Sequence, residues 1–175
     1  IILTHYKNFN LFKKMINDTP SICIVIPYFG KWPFWINFFI ESCRFNPTIN
    51  WLIYTDCGGV DHCPKNVTIK SMTYQDYCEL VSAKLNIIFN PINPYKLCDI
   101  RPAYGLIHRE ELANYDFWGF GDIDLIYGDI RHFLTNERLA LYDVFSNHST
   151  RTSGHLCLIR NLADLRLAYK KIPNW

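Results

Sequence analysis

Long apolar runs are missing from this 175-residue chain. The densest one, residues 33–40, is short and contains Asn37, whereas a membrane-spanning helix needs about 20 apolar residues. No charged start followed by an apolar middle and a small-residue exit is visible, so no signal peptide is read. Charge is scarce and balanced: 18 Lys and Arg against 16 Asp and Glu leave a net +2. The basic residues form nothing denser than the isolated pairs Lys13-Lys14 and Lys170-Lys171, which excludes a phosphate-tracking stripe and with it a nucleic-acid partner. The seven cysteines are scattered, with no Cys-x-x-Cys spacing, so a zinc ribbon is not expected. Cys57, His62 and Cys63 lie close in sequence but read as a polar loop. Four cysteines fall inside apolar periodic segments, where a thiol acts as a small core hydrophobe. Asn66 and Asn147 head glycosylation sequons that matter only in a secretory compartment. The cysteine pattern favours a reducing one, so a cytoplasmic protein is expected, with peripheral association to an inner membrane through parts outside this chain as the open alternative. Internal repeats and low-complexity segments are lacking.

What is present is core material: 49% hydrophobic and 16% aromatic residues, enough for one domain. The chain starts on Ile1 and stops at Trp175 just after a helical pattern, and is expected to be an excised or incomplete piece. Residues 1–20 read as a short arm or helix, and residues 21–175 as the domain. Ser21 to Pro27 is a β-branched run suited to a strand buried on both faces, closed by Tyr28, Phe29 and Gly30. Pro33 opens a helical pattern to about Arg44. Residues 51–55 form a second buried strand ending at Asp56, and 67–71 a shorter third. Thr73 is placed to cap a helix to about Leu85. Residues 90–101 read as an irregular loop, 102–114 as a helix, and 117–124 as a strand that runs into Asp122 and Asp124. Strands alternating with helices predict an α/β fold with a mostly parallel sheet flanked by helices. Ligands gather beyond the carboxyl ends of such strands, where Tyr28–Gly30, Asp56 and Asp122/Asp124 all fall.

An Asp-x-Asp pair is common by chance in a chain with eleven aspartates, so its context carries the weight. This pair follows an aromatic strand with Gly119 and Gly121 and precedes a further apolar stretch. In extended backbone, residues two apart point to one side, roughly 7 Å apart. Two carboxylates so placed offer hard oxygen donors to Mg²⁺ or Mn²⁺, leaving positions for phosphate.

The segment FWGFGDIDLIYGDIRHFL resembles the DxD region of GT-A glycosyltransferases, bacterial polysaccharide-modifying members in particular. CIVIPYFG is similar to their first nucleotide-binding strand, and WLIYTD to the strand whose last Asp contacts the base. TSGHLCLIRN, residues 152–161, is similar to the N-S-G-x-M-L-I-N segment of glycogenin-like and lipopolysaccharide galactosyltransferases, with Thr152 and Ser153 at the Asn and Ser positions. The resemblance covers about residues 21–165 and implies a Rossmann-like GT-A fold. It implies a nucleotide-sugar donor, most often a UDP-sugar, a glycan or polysaccharide acceptor, and Mn²⁺ or Mg²⁺ as cofactor. It assigns the metal to Asp124 directly and to Asp122, which alternatively touches the ribose. Pro27, Tyr28 and Phe29 would line the nucleotide pocket, and Asp56 would accept from the base. Lys96, Asp99, Arg101 and Tyr104 would meet phosphate and sugar, with Arg101 clamping a phosphate. Ser153 and Gly154 would border the donor sugar, while His155 either faces that site or packs in its strand.

No catalytic base is assigned: Asp129, Asp143 and Asp164 carry no base signature, and the acceptor part is expected to be incomplete. Two alternatives stay open. One is a non-catalytic nucleotide-binding or scaffold domain of the same fold. The other is a haloacid-dehalogenase-like phosphatase, against which stand Leu125-Ile126 after the motif and the motif's late position.

Overall fold

The computed structural model describes residues 18–148 and 150–173. Of the arm expected over residues 1–20, the first seventeen positions lie outside the described residues, as does Ser149 of the second sequon.

β1 (Ile22–Pro27) has alternate side chains in two separate cores. Ile22, Ile24 and Ile26 face one, and Cys23 and Val25 the other, as the period of two requires. α1 (Ile36–Arg44) covers the first core with Ile36, Phe39, Ile40 and Cys43, the one-faced spacing of an amphipathic helix. It begins later than Pro33, which instead accepts the Ile36 N–H at 3.1 Å in a turn leading into the helix. β2 (Ile49–Thr55) and β3 (Val67–Ser71) follow. α2 (Tyr74–Leu85) is capped by Thr73, whose hydroxyl accepts from the Asp76 N–H at 3.1 Å, a contact worth about 1 kcal/mol. Asn86 ends this helix in the left-handed conformation, φ 55°.

Residues 90–101 are irregular as expected, except for a 3₁₀ turn over Pro94–Cys98. The helix expected over 102–114 does not form as one element. A 3₁₀ turn (Arg101–Ala103) passes into α3 (Tyr104–Ile107), and the remainder is turns. Tertiary contacts override propensity here. Gly105 lies so close against the Trp118 indole that a Cβ would overlap it. The buried His108 is held 2.9 Å from the Tyr77 hydroxyl. The Asn161 side chain then donates to the carbonyls of Leu112 and Tyr115, at 2.7 and 2.8 Å.

β4 (Phe117–Gly121) stops short of the acidic pair. After it come α4 (Ile130–Phe133), α5 (Asn136–Leu141), β5 (Val144–Ser146), β6 (Leu156–Arg160), α6 (Ala163–Arg166) and a 3₁₀ turn over Ala168–Lys171. The sheet has six strands in the order β3-β2-β1-β4-β6-β5. The first four run parallel, β6 is antiparallel to β4, and β5 is antiparallel to β6. The sheet is therefore mostly parallel, as expected, with an antiparallel pair of strands added at one side, and its α/β layering is as expected too. Arg160 is buried with Asp143, donating from Nε at 2.6 Å and lying over the Phe117 ring. Asp143 is thus a structural partner.

Candidate functional site

The chain leaves β1 for β2 on one side, and β4 later adds on the other, so crossovers diverge between β1 and β4. Such a switch point opens a crevice at the carboxyl edge. A cleft of about 910 Å³ lies there, lined by residues 25–29 of β1 and its exit, 120–124 after β4, and 93–104 in part. Because β6 is antiparallel to β4, with Leu156 opposite Gly121, its lead-in loop reaches the same edge. Thr152, Gly154 and His155 complete the wall.

Asp122 lies just past the end of the strand, and Asp124 in the bend that follows it. Gly121 is required at the bend, since a Cβ there would strike the Tyr127 hydroxyl. That hydroxyl accepts from the Asp122 N–H at 3.2 Å and lies 3.0 and 2.9 Å from the carbonyls of Asp122 and His155. Burial pushes the Tyr127 phenol above its usual range, against the backbone hydrogen bond at Asp122, so it acts here as a neutral strut.

The Asp122 carboxylate is engaged on both oxygens. Arg101 Nη2 donates to Oδ1 at 2.5 Å, and His155 Nδ1 lies 3.1 Å from Oδ2. A carboxylate only accepts, which puts the imidazole proton on Nδ1. Arg101 Nη1 also donates to the Gly154 carbonyl at 2.9 Å. Burial works against the Arg101 charge, but Asp122 outweighs it and holds the guanidinium above its ordinary pKa. The Arg101 side chain is only 17% exposed. Gly154 permits this approach, since its Cβ would fall 2.9 Å from Nη1. Asp124, by contrast, is exposed and has no hydrogen bond or ion pair among the described residues.

Of the residues expected at a donor site, the structure gathers Pro27, Tyr28, Phe29, Arg101, Tyr104, Asp122, Asp124 and Gly154 around this one cleft. Tyr28 is tied into its own loop: its hydroxyl donates to the Lys31 carbonyl at 3.1 Å, and its ring stacks on Trp32 at 5.5 Å. Tyr104 is buried, with its hydroxyl on the Leu97 carbonyl. Three residues, Asp56, Ser153 and Lys96, are not brought to the wall. Asp56 accepts from the Gly30 N–H at 2.7 Å, bracing the loops after β1 and β2. Ser153 is buried, its hydroxyl without a partner among the described residues, while its N–H donates to Ser146. Lys96 and Asp99 pair at 3.1 Å, with Asp99 on the wall. Asp129 caps α4 by accepting from the His132 N–H at 3.1 Å.

The sequence reading missed Trp35 and Tyr95, which line the cleft while remaining 37% and 76% exposed. Exposure alone does not single them out, since Phe34, Phe38, Phe45 and Phe133 are exposed as well; only the fold shows that these two share one cleft. The donor chemistry suits Mg²⁺ or Mn²⁺, with carboxylate oxygens of Asp122 and Asp124 at one cavity. Each Asp122 oxygen keeps a spare lone pair. Among the described residues, no group of three or more His, Cys, Asp and Glu side chains is placed to hold a metal. Ligand oxygens and water would therefore fill the other positions.

Fold and site together define an α/β domain with a mixed six-stranded sheet and, at its switch point, a cleft that carries the acidic pair and Arg101. The chain belongs to DUF6625, a family of unknown function that it matches over residues 24–174. No curated protein matches it. No helix among the described residues is long and apolar enough to cross a membrane.

Proposed function

We infer that this domain is a GT-A-type glycosyltransferase, which takes a sugar from a nucleotide-sugar donor, with UDP the favoured nucleotide, to a glycan or polysaccharide acceptor. The observation that carries the reading is the convergence of the Asp122/Asp124 bend and the Thr152–His155 loop on one cleft at the β1/β4 switch point. The resemblance over residues 152–161 implies a strand under the sugar site, and β6 with its lead-in loop fits that role. Asp122 and Asp124 would hold the divalent ion. When bound, that ion offsets charge developing on the departing nucleoside diphosphate. Pro27, Tyr28 and Phe29 wall the nucleotide side, and Arg101 supplies positive charge to the diphosphate.

Calorimetric titration of UDP and GDP, with Mn²⁺ and then with EDTA, tests the reading against an Asp122→Ala/Asp124→Ala variant. Metal-dependent binding that the variant loses supports it, and metal-dependent hydrolysis of a UDP-sugar supports catalysis. Absence of nucleotide binding by the folded chain overturns it. The second reading, nucleotide binding without turnover, is favoured by the engagement of both Asp122 oxygens, and intact binding without hydrolysis would select it. The same engagement counts against a haloacid-dehalogenase-like phosphatase, whose first Asp must be free to attack phosphorus.

A further inference from the structure

Arg101 stands where its charge works against a cation. Its guanidinium, little exposed, donates to Asp122 Oδ1 and to the Gly154 carbonyl. It therefore neutralises one of the two carboxylates offered to a metal, and His155 occupies the other oxygen of the same group. Of the two, only Asp124 has no hydrogen bond or ion pair among the described residues. A planar guanidinium also matches the paired oxygens of a phosphate as well as it matches a carboxylate. Both partners of this arginine sit on the cleft wall, so a diphosphate in the cleft competes with Asp122 for it without a change in fold.

We propose that Arg101 is a charge lock on the cation site: it holds Asp122 until a nucleoside diphosphate draws it away, so that cation and nucleotide strengthen each other's binding. This rests on the reading of the cleft as a nucleotide-sugar site. Without nucleotide, a divalent ion meets Asp124 and an Asp122 already paired with a cation, and binds weakly. With diphosphate bound, the guanidinium moves to phosphate oxygens and Asp122 is released to the metal. Linkage makes the effect reciprocal, each ligand raising the other's affinity by the same factor. Release from Asp122 and Gly154 also removes a tie between the Thr152–His155 loop and the acidic bend.

The test measures Mn²⁺ affinity by the electron paramagnetic resonance of the free ion, for Mn²⁺ alone, with UDP and with inorganic pyrophosphate. Wild-type protein should bind Mn²⁺ weakly alone and more tightly with either phosphate compound. In Arg101→Gln, Mn²⁺ alone should bind about tenfold tighter than in wild type, and the gain from UDP should shrink. Arg101→Lys, which reaches only one of the two partners, should fall between them and carries the test if the Gln variant does not fold. A purely structural arginine would give the opposite sign, since loosening the loop weakens metal binding. Unchanged or weaker Mn²⁺ binding in these variants, with UDP binding still metal-dependent in wild type, overturns the lock and leaves the donor-site reading standing. Failure of wild type to bind UDP with Mn²⁺ overturns both.

Discussion

The Tyr127 hydroxyl occupies the space that a Cβ on Gly121 would take. This interlock fixes the bend carrying Asp122 and Asp124, because the same hydroxyl takes the Asp122 N–H and reaches the His155 carbonyl. Gly121→Ala should cost about 1–3 kcal/mol through overpacking. Tyr127→Phe should cost about 1 kcal/mol, by removing the hydroxyl's bonds and leaving the Asp122 N–H only its 3.4 Å bond to the His155 carbonyl. Urea denaturation reads both, and both should weaken UDP binding more than a substitution far from the cleft.

Asp124 separates function from stability. It is exposed and has no hydrogen bond or ion pair among the described residues, so Asp124→Asn should leave unfolding free energy within about 0.5 kcal/mol of wild type. Metal-dependent nucleotide binding should nevertheless be lost. Retained binding, with an unchanged metal requirement, would remove Asp124 from the site.

Acid stability should turn on two groups under the sheet. Burial pushes His108 down to about 3 from 6.5, against the opposing pull of Glu111. Below about 6.5 the unfolded chain takes up a proton that the folded His108 refuses, so stability declines as pH falls from there toward 3. Glu111 is penalised by burial, but hydrogen bonds from Lys70 and Tyr54 outweigh that and lower it to about 2 from 4.5. Its contribution is complete above 4.5 and is lost as pH falls toward 2. Melting temperatures between pH 7 and 4.5 should fall in wild type and stay flatter in His108→Gln.

Trp35 offers an optical readout. It lines the cleft while partly exposed, whereas Trp51 and Trp118 are fully buried. UDP with Mn²⁺ should quench tryptophan emission, and Trp35→Phe should abolish most of that change. Equal quenching in a Trp32→Phe/Trp35→Phe variant, which also removes the indole stacked on Tyr28, would place the nucleotide elsewhere.

The sequence showed the strands that are buried on both faces, since runs such as 22–27 and 51–55 admit little else. It showed the Thr73 cap, because capping is local. It also placed most of the cleft, through the rule that strand ends converge. It did not show that the helix over 102–114 would break, which depends on the contact between Gly105 and Trp118. β5 is three residues long and carries no periodic signal. The partner of Arg101 is 21 positions away, and a lone arginine gives no sign whether it will meet a phosphate or an aspartate. Asp56 was placed at the right edge, yet its bond to the Gly30 N–H is a matter of loop geometry.

The cleft's walls are drawn from stretches around residues 25–29, 93–104, 120–124 and 152–155, which meet only through the sheet. No single segment carries the site, so it disappears when the sheet opens. Occupancy and integrity then become one equilibrium. A ligand at a hundredfold excess over its Kd adds about 2.7 kcal/mol to the folded state. At about 2–4 °C per kcal/mol for a chain of this size, melting rises by roughly 5–10 °C. The whole domain thus serves as its own indicator, and a melting screen over nucleotides and divalent ions would sort candidate ligands before any acceptor is known.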